Sequence, residues 1–334
     1  MKRKLAVIVL ILLGSFTLFA SNTLARTITL KLGHISPTTS PMGKGADLFA
    51  KLVKEKSNGQ IEVAVYPMEQ LGKATAMLES TMIGNQDIFL EGQTWCERFS
   101  KAARIGMVNY AFRNREHYRK YTRSDLYREY VTKAVEDAGL IFLDTKANWE
   151  RGPFRIMISK RPILGTEDLK GLRLRMWDAS AARRSWEAFG VVTTVLPWTD
   201  VYLGLKQGIV EAVTSPVNLL YAMKFTEVAK YVTKTDEFPQ LIRLYMNRNK
   251  FNSLDSAQQK ALIDAGNEAG DYYTGLSLEA AEKDIDRVIK ENNAVYIQVN
   301  LENFSKVMPP VIKQFEKENF LPAGLYDKIQ ALAD

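Results

Sequence analysis

Short runs of alternating apolar and polar residues recur along this chain, separated by stretches with helical spacing. In "GLRLRMWDAS" (Gly171 to Ser180), Leu172, Leu174 and Met176 fall at every second position, with Arg173, Arg175 and Trp177 between them. That period predicts a strand with one apolar face. Its other face carries two arginines and a tryptophan, which are either solvated or aimed into a cleft to meet an anion. The same strand pattern opens the chain's folded part: "TITLKLGH" aligns Ile28, Leu30 and Leu32. Ser40 then predicts a helix cap with Pro41 in the first turn. Met42, Ala46, Phe49, Leu52 and Val53 form the apolar stripe of that helix, which stops at "SNG". "IEVAVYP" predicts a strand, "ATAMLESTMIG" a helix and "QDIFLEG" a strand. A charged helix over Glu116 to Ala138 and a strand at "LIFLDT" follow. After Trp149 come strands at "FRIMIS", "LRLRMW", "VVTTVLP" and "IVEAVTSP". Helices at "AARRSWEAFG" and "TDVYLGLKQG" separate them, the second capped by Thr199. From Ser256 to Asn293 runs a long helical pattern interrupted by Gly266 and Gly270. A strand at "AVYIQV" and two helices close the chain.

Alternating strand and helix units predict an α/β protein with open, largely parallel sheets covered by helices on both faces. Near "KYVTKTDEFPQLIRLYMNRNKF" the turn signals thin out, which predicts a chain crossing back into its first domain. No low-complexity linker separates the domains. A direct crossover of this kind implies a hinge with a cleft, the preferred place for a ligand.

The first residues bear on compartment. Lys2, Arg3 and Lys4 precede an apolar run from Ala6 to Ala20, and "TLAR" offers a small-residue cleavage site after Ala25. This predicts a secretory signal peptide and a periplasmic protein. The remaining length exceeds the usual single core and predicts two domains. Once the three early cations are removed, 42 basic residues stand against 38 acidic ones. The charges are interspersed, so nucleic acid is an unsuited partner. Cys96 is the single cysteine, which excludes an internal disulfide and predicts a buried, inert thiol.

Searches for chemistry mostly return nothing. The chain has no Gly-x-Gly-x-x-Gly, no phosphate loop, no Gly-x-Ser-x-Gly and no His-Glu-x-x-His, and its two histidines and one cysteine are too few for an ordinary zinc or copper site. No cofactor and no metal are implied. Arginine chemistry remains. Arg155 in "GPFRIMIS" and Arg175 in "LRLRMW" sit inside strand-like runs, and a guanidinium fork matches a carboxylate, sulfonate or phosphate. Each such bond is worth about 1.5–3 kcal/mol net. The alternative is pairing with a protein acid. Trp95, Trp149, Trp177 and Trp198 fall at strand ends or in loops, where α/β sheets place ligand groups.

Three stretches carry a resemblance: "PILGTEDLKGLRLR", then "VLPWTDVYLGLKQGIVEAVTSP" and "KFTEVAKYV", supported by "EKSNGQIEVAVYPMEQLG" nearer the start. The chain resembles the substrate-binding subunits of tripartite ATP-independent periplasmic (TRAP) transporters, over nearly its whole length after the signal. The resemblance implies a two-lobed periplasmic-binding-protein fold, with a ligand cleft between lobes and a long helix bridging both. Lobe I is expected over 26–152 and 241–280, and lobe II over 153–240 and 281–334. It implies a receptor that catalyses nothing, binds a small organic anion (a carboxylate, sugar acid, hydroxy or keto acid, or sulfonate) and delivers it, as a monomer, to TRAP membrane subunits. A periplasmic receptor feeding a membrane sensor is the alternative. Arg175 matches the arginine that grips the substrate carboxylate, Arg155 a second arginine on the same group, and Trp198 an aromatic wall. Ser215 and Asp178 are expected to hydrogen-bond polar substituents. His34, Gln93 and Trp95, at strand ends of the first lobe, are the candidates for the distal end of the ligand.

Overall fold

The computed structural model describes residues 27–333, so the predicted signal peptide lies outside the described residues. In chain order the strands are β1 (Ile28–His34), β2 (Ile61–Tyr66), β3 (Ile88–Gly92), β4 (Leu140–Phe142), β5 (Arg155–Ser159), β6 (Arg173–Met176), β7 (Val192–Val195), β8 (Ala212–Pro216), β9 (Tyr231–Lys234), β10 (Ile242–Asn247) and β11 (Val295–Gln298). They form two sheets, ordered β2-β1-β3-β10-β4 and β11-β9-β5-β8-β6-β7. The chain therefore passes from the first sheet to the second after β4, returns before β10, and crosses again before β11.

The sheets are mixed, which corrects the expectation of largely parallel ones. β1 runs parallel to β2 and β3, and β6 parallel to β7 and β8. β10 is antiparallel to β3 and β4, and β5 is antiparallel to β8 and β9. The reason is the crossover itself. A strand that arrives from the other sheet starts at the gap between them, where β3 and β8 end: Ile242 pairs with Gly92, and Arg155 with Pro216.

Local signals explain most helices. In α1 (Pro41–Lys56) the Ser40 hydroxyl accepts from the Gly43 amide at 3.2 Å, and proline opens the first turn. Its stripe of Met42, Ala46, Phe49 and Val53 is buried with Leu30, Leu32 and Ile88. α2 (Ala74–Met82) leads into β3. The single helix expected over Glu116 to Ala138 is instead broken into Arg115–Thr122, Asp125–Tyr127, a wide turn at Arg128–Thr132, and Lys133–Asp137. Ser124 starts a new helix by accepting from the Tyr127 amide at 3.2 Å. Thr199 does not cap the following helix, which covers Val201–Gln207 with Asp200 before it. Its hydroxyl donates to Glu69 instead, at 2.5 Å.

The helix Ser256–Asn292 is continuous over 37 residues, about 55 Å. Asp255 and Gln258 cap its start reciprocally. Gly266 and Gly270 do not interrupt it, contrary to expectation. A Cβ at Gly270 would come within 2.5 Å of Asn148 Oδ1 and Trp149 Cδ1, and one at Gly266 within 3.0 Å of the Leu143 carbonyl. The glycines let the crossing segment lie against the helix. Trp149 stacks on Tyr273 at 5.2 Å and donates its indole N–H to the Gly266 carbonyl at 2.7 Å. The helix packs on α1 at one end and on β11 at the other, so it bridges both lobes.

Candidate functional site

The gap between the two sheets holds a cavity of about 150 Å³, built where strands end and the crossing segments pass. β6 supplies its centre. Arg175 and Trp177 line the cavity, while Arg173, at the strand's outer end, reaches Glu211 and the Gly208 carbonyl near solvent. The alternation in "LRLRMW" thus presents one face to the core and the other, past Arg173, to the cleft.

Arg175 is buried, 3 % exposed, and makes no ion pair among the described residues. Its Nε and Nη2 both donate to the Leu196 carbonyl, at 2.8 and 2.6 Å. The guanidinium lies 5.1 Å from the centre of the Trp198 ring, which helps to hold a cation out of water. Burial pulls the Arg175 guanidinium well below its ordinary range, and Glu69 opposes that shift only in part. A guanidinium stays protonated under physiological conditions, so the protein keeps a buried positive charge without a direct counter-charge.

The other sequence-predicted residues divide. Trp198 and Trp95 line the cavity. Arg155 also lines it, but its nitrogens are already occupied: Nε donates to Glu237 at 2.7 Å, Nη1 to Gln240 at 2.9 Å and Nη2 to Thr214 at 3.1 Å. Its charge is balanced by a protein acid. Asp178 stands at the mouth, mostly exposed, and accepts from Arg98 at 2.9 Å. Ser215 is not among the lining residues. In β8 its neighbours Thr214 and Pro216 face the cavity, and Ser215 points away and donates to the Pro216 carbonyl at 2.9 Å. The one-residue offset follows from the pleat, which alternates side chains between faces. Gln93 lies deeper in the first lobe, hydrogen-bonded with Tyr118 and accepting from Tyr127 at 3.3 Å. His34 is fully buried, accepts from the Ser36 amide at 3.2 Å, and is not among the lining residues; its neighbour Ile35 is. Burial pushes its imidazole down to about 4. Trp149 packs on the long helix rather than in the cleft. Cys96 is buried 3.4 Å from the Tyr245 hydroxyl, and burial raises its thiol to about 11, which leaves it protonated and inert.

Trp177, expected on the cleft face, lines the cavity, and residues outside the expected set complete it: Glu69, Lys73, Glu91, Arg151, Thr214 and Gln240. Arg151 donates to Glu91 at 2.9 Å, both buried. Glu69 and Lys73 pair at 3.1 Å beneath Thr199. One signal pointed to Glu91: an acid inside the apolar run "IFLEG" needs a buried partner. Arg151 and Gln240 sit in crossing loops with no pattern to mark them.

The pattern of the DctP family, described as bacterial extracellular solute-binding protein, family 7, matches residues 32–319. The chain belongs to that family. Family 7 members are receptors that bind solutes outside the cytoplasm, not enzymes, and the two-lobed fold is theirs. The 2,3-diketo-L-gulonate-binding periplasmic protein YiaO of Escherichia coli (strain K12) is 27% identical over 290 residues, 87% of each chain. The C4-dicarboxylate-binding periplasmic protein DctP of Rhodobacter capsulatus is 26% identical over 86% of each chain. Among solved structures, the TRAP periplasmic solute-binding protein of Polaromonas sp. bound to D-erythronate is 26% identical, with a TM-score of 0.83 over 91% of this chain and 98% of that one. The corresponding protein of Sulfurospirillum deleyianum with bound succinate has the same identity and TM-score, over 91% of this chain and 99% of that one.

Proposed function

We propose that this family 7 receptor binds a small organic acid in the interlobe cavity and delivers it to TRAP membrane subunits, after export by a cleaved signal peptide. The names of its relatives, which bind a keto sugar acid, C4 dicarboxylates, D-erythronate or succinate, support an organic acid as the ligand class. The lobes are taken as 26–152 with 241–280 and 153–240 with 281–334, a division that sheet membership supports. It acts as a monomer and has no nucleic-acid partner.

One observation carries the reading: Arg175 is a buried guanidinium in the cavity with two N–H groups on a neutral carbonyl and no acid paired to it among the described residues. A carboxylate entering the cavity supplies the missing charge. Trp198 and Trp177 flank its carbon skeleton, and Thr214, whose hydroxyl already accepts from Arg155, turns its O–H toward the acid. Arg155 serves as a positioning residue, holding Thr214 and Gln240 in place, rather than as a second clamp. Micromolar affinity needs about 8 kcal/mol, and a charge-assisted pair in a closed, low-dielectric site supplies much of it. Calorimetry with a panel of C3–C9 organic acids should find a binder for the native protein, and Arg175→Met should abolish that binding with the melting curve of the ligand-free protein intact. Undiminished affinity in the variant would remove the basis of this assignment.

A further inference from the structure

The helix that follows β6, Ser180–Glu187, has no side-chain cap from its own sequence. Ala179 stands where a Ser, Thr, Asp or Asn would accept from the first amides, and the first turn holds no acid. The acceptor comes from far away in the chain. Glu97 Oε1 accepts from the Ser180 amide at 2.6 Å, and Oε2 accepts from the Ser180 hydroxyl at 3.0 Å and the Ala181 amide at 3.2 Å. A carboxylate at this end of a helix also meets the positive end of the helix dipole.

The two partners belong to different lobes. Glu97 lies in the short helix Gln93–Arg98, directly after β3 and tied to the first sheet. There the Gln93 amide donates to the Leu241 carbonyl at 3.0 Å, and Cys96 meets Tyr245 of β10. Ser180 follows β6 of the second sheet. Between β6 and Ser180 the chain carries Trp177 and Asp178, which line the cavity, and Trp95 lines it two residues before Glu97. The contact therefore joins the two segments that form facing walls. Further along the same helix the Asn109 amide donates to Ser185 Oγ at 2.7 Å, so the helix lies along the face between the lobes.

Glu97 is half-buried, unlike the exposed pairs at the cavity mouth. Burial raises its carboxyl above the ordinary range, and the donors of Ser180 and Ala181, with the charge of Arg104, oppose that shift. Because the side chain keeps part of its contact with water, closing removes only part of its hydration, and three donors replace what is lost. With the lobes apart, the carboxylate and the helix amides each return to water.

Resting on the receptor reading above, we infer that Glu97 is a positioning residue for ligand binding. It caps the helix Ser180–Glu187 across the interlobe gap and so favours the arrangement in which Trp95, Arg175 and Trp177 face one ligand. It acts through that helix and touches no solute. A plain helix cap would stabilise the helix without biasing the lobes.

A local cap separates the two roles. Glu97→Ala removes the contact, and Ala179→Ser gives the helix an acceptor from its own chain. Spin labels on Lys51→Cys in α1 and Lys206→Cys in Val201–Gln207 report the interlobe distance by pulsed electron resonance, while the buried Cys96 stays unlabelled. In the ligand-free protein, Glu97→Ala with Ala179→Ser should show longer distances than Ala179→Ser alone, although its melting temperature recovers from that of Glu97→Ala. Calorimetry should find D-erythronate or succinate bound about tenfold more weakly by the double variant than by Ala179→Ser. Distances and affinity equal to those of Ala179→Ser overturn the inference, since Glu97 is then a helix cap only. Should Ala179→Ser fail to fold, Glu97→Gln is compared with the native protein: longer distances support the inference, and unchanged ones overturn it. A native protein that binds no organic acid overturns the receptor reading instead, and the label distances still decide whether Glu97 holds the lobes together.

Discussion

Two buried arginines of one sheet differ in what removing them does. Arg155 is paired with Glu237, which is itself fully buried. Arg155→Met strands that carboxylate, and a broken buried pair costs about 3–5 kcal/mol. Urea denaturation should show a clear loss of stability in this variant. Arg175 has no acid to strand among the described residues, so Arg175→Met should leave the stability of the ligand-free protein equal or higher, while the rise in melting temperature caused by ligand disappears. His34 gives a pH signature. Its folded-state value near 4 lies below the ordinary 6.5 because burial disfavours the charged ring. Between those values the unfolded chain binds the extra proton, so stability is full above pH 6.5 and falls as pH drops toward 4. The gap is worth about 3 kcal/mol. His34→Gln should flatten this acid-side slope when unfolding is measured at pH 7 and pH 4.

Among the elements, the long helix separates what glycine means in sequence from what it does in a fold. Three glycines punctuate it, and only contact distinguishes them. At Gly270 a methyl group would overlap Asn148 and Trp149, so Gly270→Ala should destabilise by about 1–3 kcal/mol. Gly275 has open space around it, and Gly275→Ala should stabilise by up to about 1 kcal/mol, from helix propensity alone. Thermal unfolding of the two variants checks both signs. Strand positions were legible as short apolar runs or alternations: β1 alternates into a buried face, while β3, β5 and β8 are buried throughout. Strand direction was not, since β5 and β10 read like any other apolar run and their reversal comes from the neighbours they join. The break after Thr122 was likewise hidden: a charged helical pattern continues through it, and only the bond of Ser124 to the next turn shows the new start.

At the scale of the whole molecule, the lobes touch across the mouth of the cavity. Lys73 donates to Thr199 at 2.6 Å and to Asp200 at 3.2 Å, and Arg98 donates to Asp178 at 2.9 Å. These contacts are solvent-exposed, and each contributes only about 0–1 kcal/mol. That is enough to shift an equilibrium between open and closed arrangements without locking it. Lys73→Ala should therefore enlarge the radius of gyration of the ligand-free protein in small-angle scattering. It should also weaken binding by a few-fold, with the native protein drifting toward the variant as salt is raised. An unchanged scattering profile would show that these pairs do not bias closure.

By itself the sequence determined the alternation of strands and helices, the long helix, the buried thiol, the family, and the alternation that puts Arg175 on the cleft face of its strand. All of these are local patterns or contiguous motifs, and local physics reads them. Only the tertiary structure decided which charges were already neutralised. Arg155 and Arg175 occupy similar strands with similar apolar neighbours, yet Glu237 reaches one and, among the described residues, no acid pairs with the other. It likewise put Thr214 rather than Ser215 at the cavity, withdrew Gln93 and His34 into the first lobe, and brought Glu91 and Arg151 to the wall. The physical reason is that net charge and hydrogen-bond capacity at a site are sums over residues far apart in the chain, and only the fold makes that sum.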